Sequence, residues 1–126
     1  MRNLNPPLGP LSVDQFMRRH WQRKPLLIRA ALPDFKPPLS PEALFELATR
    51  DDVESRLVSQ PPSAARLDRG PFDAQDLPAR TRRAWTLLVQ GVDLHVDAVH
   101  DLLARFRFVP DVRLDDLMIS CAPDGG

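Results

Sequence analysis

Prolines decide how this chain is divided. There are fourteen among 126 residues, and each removes a backbone donor and pushes the residue before it away from helix. Residues 1–10 hold three of them and a glycine ahead of any periodic pattern, so the N-terminus reads as a tail laid over the surface or mobile. Order is expected from Ser12, which stands at capping-box spacing from Gln15. Val13, Phe16, Met17 and His20 or Trp21 then fall on one helical face. Pro25 ends that helix and leaves Leu26 to Ile28 as a short predicted strand. A proline-rich loop follows. Ser40 and Pro41 then read as N-cap and first helical residue of a second helix, with Leu44, Phe45 and Ala48 inward.

Past residue 50 the period shortens. Val53, Ser55, Leu57 and Ser59 alternate with Glu54, Arg56 and Val58, the period of a half-buried strand. "QPPS" reads as a turn and "AARLDRGPF" as the partner strand. "AWTLLVQGVD", residues 84 to 93, is nearly continuous apolar and predicts a strand covered on both faces. Val96, Val99, Leu103 and Phe106 keep helical spacing, which predicts the longest helix from His95 to Arg107, closed by Pro110. Val112 to Cys121 is predicted as the last strand. Helices precede and interrupt strands without strict alternation, so the predicted class is α+β, and the length fits one domain.

Charge excludes several functions. Seventeen basic residues cancel seventeen acidic ones, leaving no overall field to draw nucleic acid or an anionic membrane. Arg80, Arg82 and Arg83 form a dense basic cluster that reads as solvated surface. No apolar run reaches the roughly 18 to 20 residues of a membrane span. "MRNLNPPLGP" is neither a secretory signal nor a transit peptide, so a cytoplasmic setting is expected. A single cysteine, Cys121, rules out an internal disulfide framework and a cysteine zinc site, and it reads as a small buried hydrophobe.

Two constellations invite chemistry. "DLHVDAVHD" contains His95-x-Asp97 and His100, the residue types of a non-haem iron site. On the predicted helix, however, positions two apart diverge by about 200° and positions five apart by about 140°, so these side chains are expected on the solvated surface. No nucleophilic triad and no phosphate-cradling glycine loop can be assembled. The second constellation is "RLDDLMISCAPDGG". On a strand, Leu117, Ile119 and Cys121 share an apolar face, while Asp116, Met118 and Ser120 share the other. That second face is either a polar edge in water or a surface aimed at a ligand, since a carboxylate grips a guanidinium and a thioether lies along its aliphatic stem.

"QFMRRHWQRKPLLIRAAL", "ESRLVS", "RGPF", "WTLLVQGVD" and "VRLDDLMISCAPDGG" occur in an order and at spacings similar to those of bacterial ribosomal oxygenases. These are JmjC-type cupin proteins that hydroxylate an arginine of a large-subunit ribosomal protein with Fe(II), oxygen and 2-oxoglutarate. The resemblance implies a tail over residues 1–11, an α+β shell over 12–111, and over 112–126 the first strand and glycine turn of an incomplete double-stranded β-helix. In the family the His-x-Asp iron motif follows that turn, so His95-x-Asp97, which precedes it, is not that motif. No ligand of iron or of 2-oxoglutarate carries over to this chain, which is expected to be an inactive N-terminal part. Asp116 and Met118 match a substrate-contacting Asp-x-Met, and the implied partner is a ribosomal protein. Two other readings are a non-catalytic protein-interaction module and the remnant of a split frame. In isolation the last strand is expected to be an unpaired apolar edge open to self-association or domain swapping.

Overall fold

The computed structural model describes residues 5–60 and 64–126. Helix α1 (Val13–Arg19) opens with the expected capping box, Ser12 accepting from the Gln15 N–H while the Gln15 side chain accepts from the Ser12 N–H. The two bonds satisfy donors that the first helical turn leaves orphaned. Phe16 sets α1 against the body, edge-on to Phe108 at 5.6 Å between ring centroids. Residues 24–28 belong to no helix or strand, so the strand expected at Leu26–Ile28 does not form. Leu27 is 76% exposed, with no ladder partner among the described residues. Of the N-terminal tail, residues 5–11 lie against the body, with Leu8 buried and the Asn5 carbonyl accepting from Arg105 Nε at 3.0 Å.

Helix α2 (Pro41–Ala48) is capped by Ser40, which accepts from the Ala43 N–H at 3.1 Å, with Pro41 in its first turn. It buries Leu44, Leu47 and Ala48, and Phe45 meets Trp85 edge-on at 5.6 Å. The sheet beneath it is antiparallel throughout, in the order β2-β1-β3-β4. Its strands are β1 (Ser55–Ser59), β2 (Arg66–Arg69), β3 (Trp85–Val89) and β4 (Ile119–Cys121). The partner strand expected in "AARLDRGPF" is β2. Of the expected "QPPS" turn, residues 61–63 lie outside the described residues. With three α-helices and an antiparallel sheet among the described residues, the class is α+β as expected.

Further expectations change. β3 is not covered on both faces: Trp85, Leu87 and Val89 are buried under α2, while Thr86 and Leu88 opposite are only partly covered. The helix expected over His95–Arg107 shrinks to α3 (Asp97–Ala104), eight residues like α2. The residues before it are taken by a 3-10 turn, Val92–Leu94, entered through Gly91 at φ +61°. The last strand is three residues, not ten. Its pairing nevertheless runs on in register at the far end, where the Ala84 N–H donates to the Asp124 carbonyl at 3.0 Å. β4 is therefore paired with β3 along one edge, and its Ile119 and Cys121 side chains, with Leu117 just before it, pack against the core rather than standing bare.

The central position of β3 makes a sharp test. Leu87 is fully buried at its middle, so Leu87→Ala should destabilise the chain by about 2 to 5 kcal/mol through lost transfer energy and the cavity left. Leu67, 54% exposed on the edge strand β2, should shift stability by no more than about 0.5 kcal/mol on the same replacement. Chemical denaturation of the two variants measures both.

Candidate functional site: the carboxylate clasp between residues 91–93 and 116–117

Asp116 and Met118 precede β4 in a segment without strand geometry. What holds that segment is a set of three hydrogen bonds to the turn after β3. The Gly91 N–H donates to Asp116 Oδ2 at 2.6 Å. The Val92 N–H donates to the Leu117 carbonyl at 3.1 Å. The Leu117 N–H donates to Asp93 Oδ1 at 2.9 Å. The β3–β4 register pairs Val89 with Ile119, and two residues further on it sets Gly91 opposite Leu117, so the clasp occupies the place where the ladder would continue. Gly91 suits this corner because its left-handed backbone costs an L residue about 1 to 2 kcal/mol. Val92, wholly buried, roots the turn in the core.

The clasp borders an open depression of about 410 Å³ lined by Asp52, Glu54, Gln90, Gly91, Leu94, His95, Asp115 and Asp116. Asp115 and Asp116 both line it. Neighbours on a strand would face opposite sides, but the alternation of a strand does not apply before Ile119. Met118 is 44% exposed, and its sulfur lies 3.9 Å from Arg56 Nη2. Ser120 is exposed, so outward facing does hold for Met118 and Ser120. A carboxylate has about four lone-pair positions, and the Gly91 N–H takes one of those on Asp116. The depression is otherwise rich in carboxylate, which fits a cationic group. The larger recess, about 630 Å³ by β2, mixes Arg66, Arg69 and Arg82 with Asp68, Asp73 and Asp76 and favours neither sign.

The histidines do not join a common site. His95 ends the 3-10 turn, its side chain 14% exposed and its Nδ1 3.9 Å from Asp52 Oδ2. It is therefore largely covered, not the solvated helix residue expected. His20 caps α1 and stacks on Phe16 at 6.1 Å. Among the described residues no three His, Cys, Asp or Glu side chains converge as a metal's ligand set. The basic cluster is exposed, and Arg80 pairs with Glu42 at 2.6 Å. No described helix is long and apolar enough to cross a membrane. Sequence reasoning missed Gly91 and Asp93. The available signal was a Gly followed two residues later by Asp directly after an apolar strand, a pattern of tight turns.

No protein-family model matches the chain. The chain is homologous to ribosomal oxygenases and corresponds to an N-terminal part of them. It is 39% identical over 116 residues to the ribosomal protein uL16 3-hydroxylase of Escherichia coli, a match covering 92% of this chain and 31% of that protein. It is 34% identical over 117 residues to a probable ribosomal oxygenase of Haemophilus influenzae, covering 92% of this chain and 29% of that one. The structure of the E. coli ribosomal oxygenase YcfD superposes with a TM-score of 0.80 at 38% identity, over 93% of this chain and 32% of that chain. YcfD has also been solved in complex with cobalt and 2-oxoglutarate. The chain thus spans about a third of the length of the relatives it matches.

At the rim of the depression, the Arg50 guanidinium donates from Nε at 3.0 Å and from Nη2 at 2.6 Å to the two oxygens of Asp52. These bonds hold the Asp52 carboxyl below its ordinary value. Because the folded value lies below the unfolded one, the pair's contribution to stability is present above the unfolded carboxylate pKa, near 3.9, and is lost as pH falls through the folded value. Arg50→Ala should move the Asp52 titration midpoint upward toward that value, as followed by carboxyl carbon NMR.

Proposed function

We propose that this chain is the N-terminal part of an Fe(II)- and 2-oxoglutarate-dependent hydroxylase acting on an arginine of a large-subunit ribosomal protein in the cytoplasm. In this reading residues 12–111 form the α+β shell, and 112–126 open the double-stranded β-helix of a JmjC-type cupin. The observation that carries it is the 39% identity to a uL16 hydroxylase across 92% of the chain. Iron and 2-oxoglutarate supply the oxidising chemistry when bound. The described residues do not fit as a ligand set for the metal, and no ligand of either group is assigned to them. The isolated chain should accordingly bind neither Fe(II) nor Mn(II) tightly and turn over no 2-oxoglutarate. Micromolar binding lost on His95→Ala would overturn that expectation. With the outer edge of β4 open among the described residues, the isolated chain is also proposed to self-associate, which sedimentation measures.

What the chain supplies is recognition. Asp116 takes the substrate guanidinium and Met118 lies against its aliphatic stem. Support comes from the half-buried Asp116 carboxylate on the rim of an acidic depression, with Met118 exposed two residues on. Removing the charge at Asp116 leaves a guanidinium unpartnered as it leaves water, a loss of about 2 to 5 kcal/mol. Met118→Ala should cost less, about 1 to 2 kcal/mol of buried contact. Asp116→Asn is the informative variant, because its amide oxygen still accepts the Gly91 N–H while the charge is gone. The test is a chimera in which this chain replaces the matching segment of the E. coli relative, assayed by hydroxylation of uL16. The KM for uL16 should rise in both variants, with metal and 2-oxoglutarate binding intact. A silent Asp116→Asn overturns the substrate assignment.

A further inference from the structure

We infer that Asp93 is a positioning residue for Asp116, aligning that carboxylate for the substrate cation through the backbone of Leu117. The inference rests on the reading of Asp116 as the substrate-binding carboxylate and adds the element that orients it. The segment leading to Asp116 is weakly tied from upstream. The backbone bonds of Arg113 and Leu114 are local, to Pro110 and Asp111, and Val112 is 92% exposed. Regular ladder pairing begins only at Ile119. Between these points the direction of the Asp116 side chain depends on where the 116–117 peptide is held.

Asp93 holds it from a rigid base. Its turn is closed by the Leu94 N–H to the Gly91 carbonyl at 3.0 Å and by the His95 and Val96 N–H groups to the Val92 carbonyl, each at 3.0 Å. The wholly buried Val92 side chain anchors the same turn. From there Asp93 Oδ1 accepts the Leu117 N–H, one peptide beyond Asp116. A carboxylate acceptor makes this bond stronger than a neutral one. The Gly91 N–H reaches back to Asp116 Oδ2, so the two aspartates are each bound to the other's strand segment. A carboxylate that must meet a planar guanidinium in two parallel bonds is sensitive to rotation of that peptide.

The experiment uses the chimera, with kcat and KM for uL16 measured separately. Asp93→Ala should raise that KM about tenfold, the scale of one charge-assisted hydrogen bond, with kcat within about twofold. Asp93→Asn should recover much of that KM rise, since its amide oxygen accepts the same N–H without the charge. Amide exchange at Leu117 in the 126-residue chain should quicken in Asp93→Ala and not in Asp93→Asn. If Asp93→Ala does not fold, Asp93→Glu, which keeps the charge but displaces the oxygen by a methylene, should show the same KM rise. An unchanged KM in the Ala and Glu variants overturns the inference, as does an equal fall of kcat in the Ala and Asn variants. A raised KM in Asp116→Asn beside a silent Asp93→Ala removes the positioning role alone. A silent Asp116→Asn removes the substrate reading and the inference with it.

Discussion

Strand β3 is the member on which the rest of the sheet hangs. It pairs with β1 along one edge and with β4 along the other, and its Leu87 and Val89 side chains are wholly buried. Helix α2 packs Leu44, Leu47 and Ala48 over the same face, and Phe45 meets Trp85 there. A strand in that position contributes hydrogen bonds to both neighbours and apolar area to the core at once. That doubling is why a five-residue strand organises elements from residue 41 to residue 124.

Beyond β3 the chain changes from ladder to clasp. Gly91 turns the backbone, Val92 drops into the core, and Asp93 and Asp116 each take a backbone N–H from the opposite segment. The clasp fixes a carboxylate beside an acidic depression without using strand geometry there, so the local path is set by side-chain acceptors. Similarity to ribosomal oxygenases over 92% of the chain gives this corner a functional context, and about a third of their length is what the chain spans. The lining is acidic, and the thioether of Met118 is exposed with its sulfur 3.9 Å from Arg56 Nη2.

Much of the local structure was legible. The Ser12–Gln15 capping box and the Ser40–Pro41 helix start formed as written, because capping depends on residues three apart and needs no tertiary partner. The alternation around Leu57 and the inward Leu44 and Ala48 of α2 were also legible from their period, while buried Leu47 was not among those expected. Leu26–Ile28 has strand composition but no partner strand among the described residues, and pairing is a property that composition does not carry. At the site, Asp116 and Met118 stood out as one face of a strand that begins only at Ile119, whereas Asp93 and Gly91, 25 residues from Asp116 at most, become its neighbours only when β3 and β4 align.

What the sequence determined by itself was therefore what contacts a few residues long govern: the starts of α1 and α2, the alternation of β1 and the absence of any overall charge. Only the tertiary structure decided where the last strand begins, which face of β3 is covered, and that Asp115 and Asp116 share one rim. The physical reason is that a strand's extent is set by the partner that satisfies its N–H and C=O groups. For residues 116 and 117 those partners were a turn and a carboxylate on the far side of a helix in sequence.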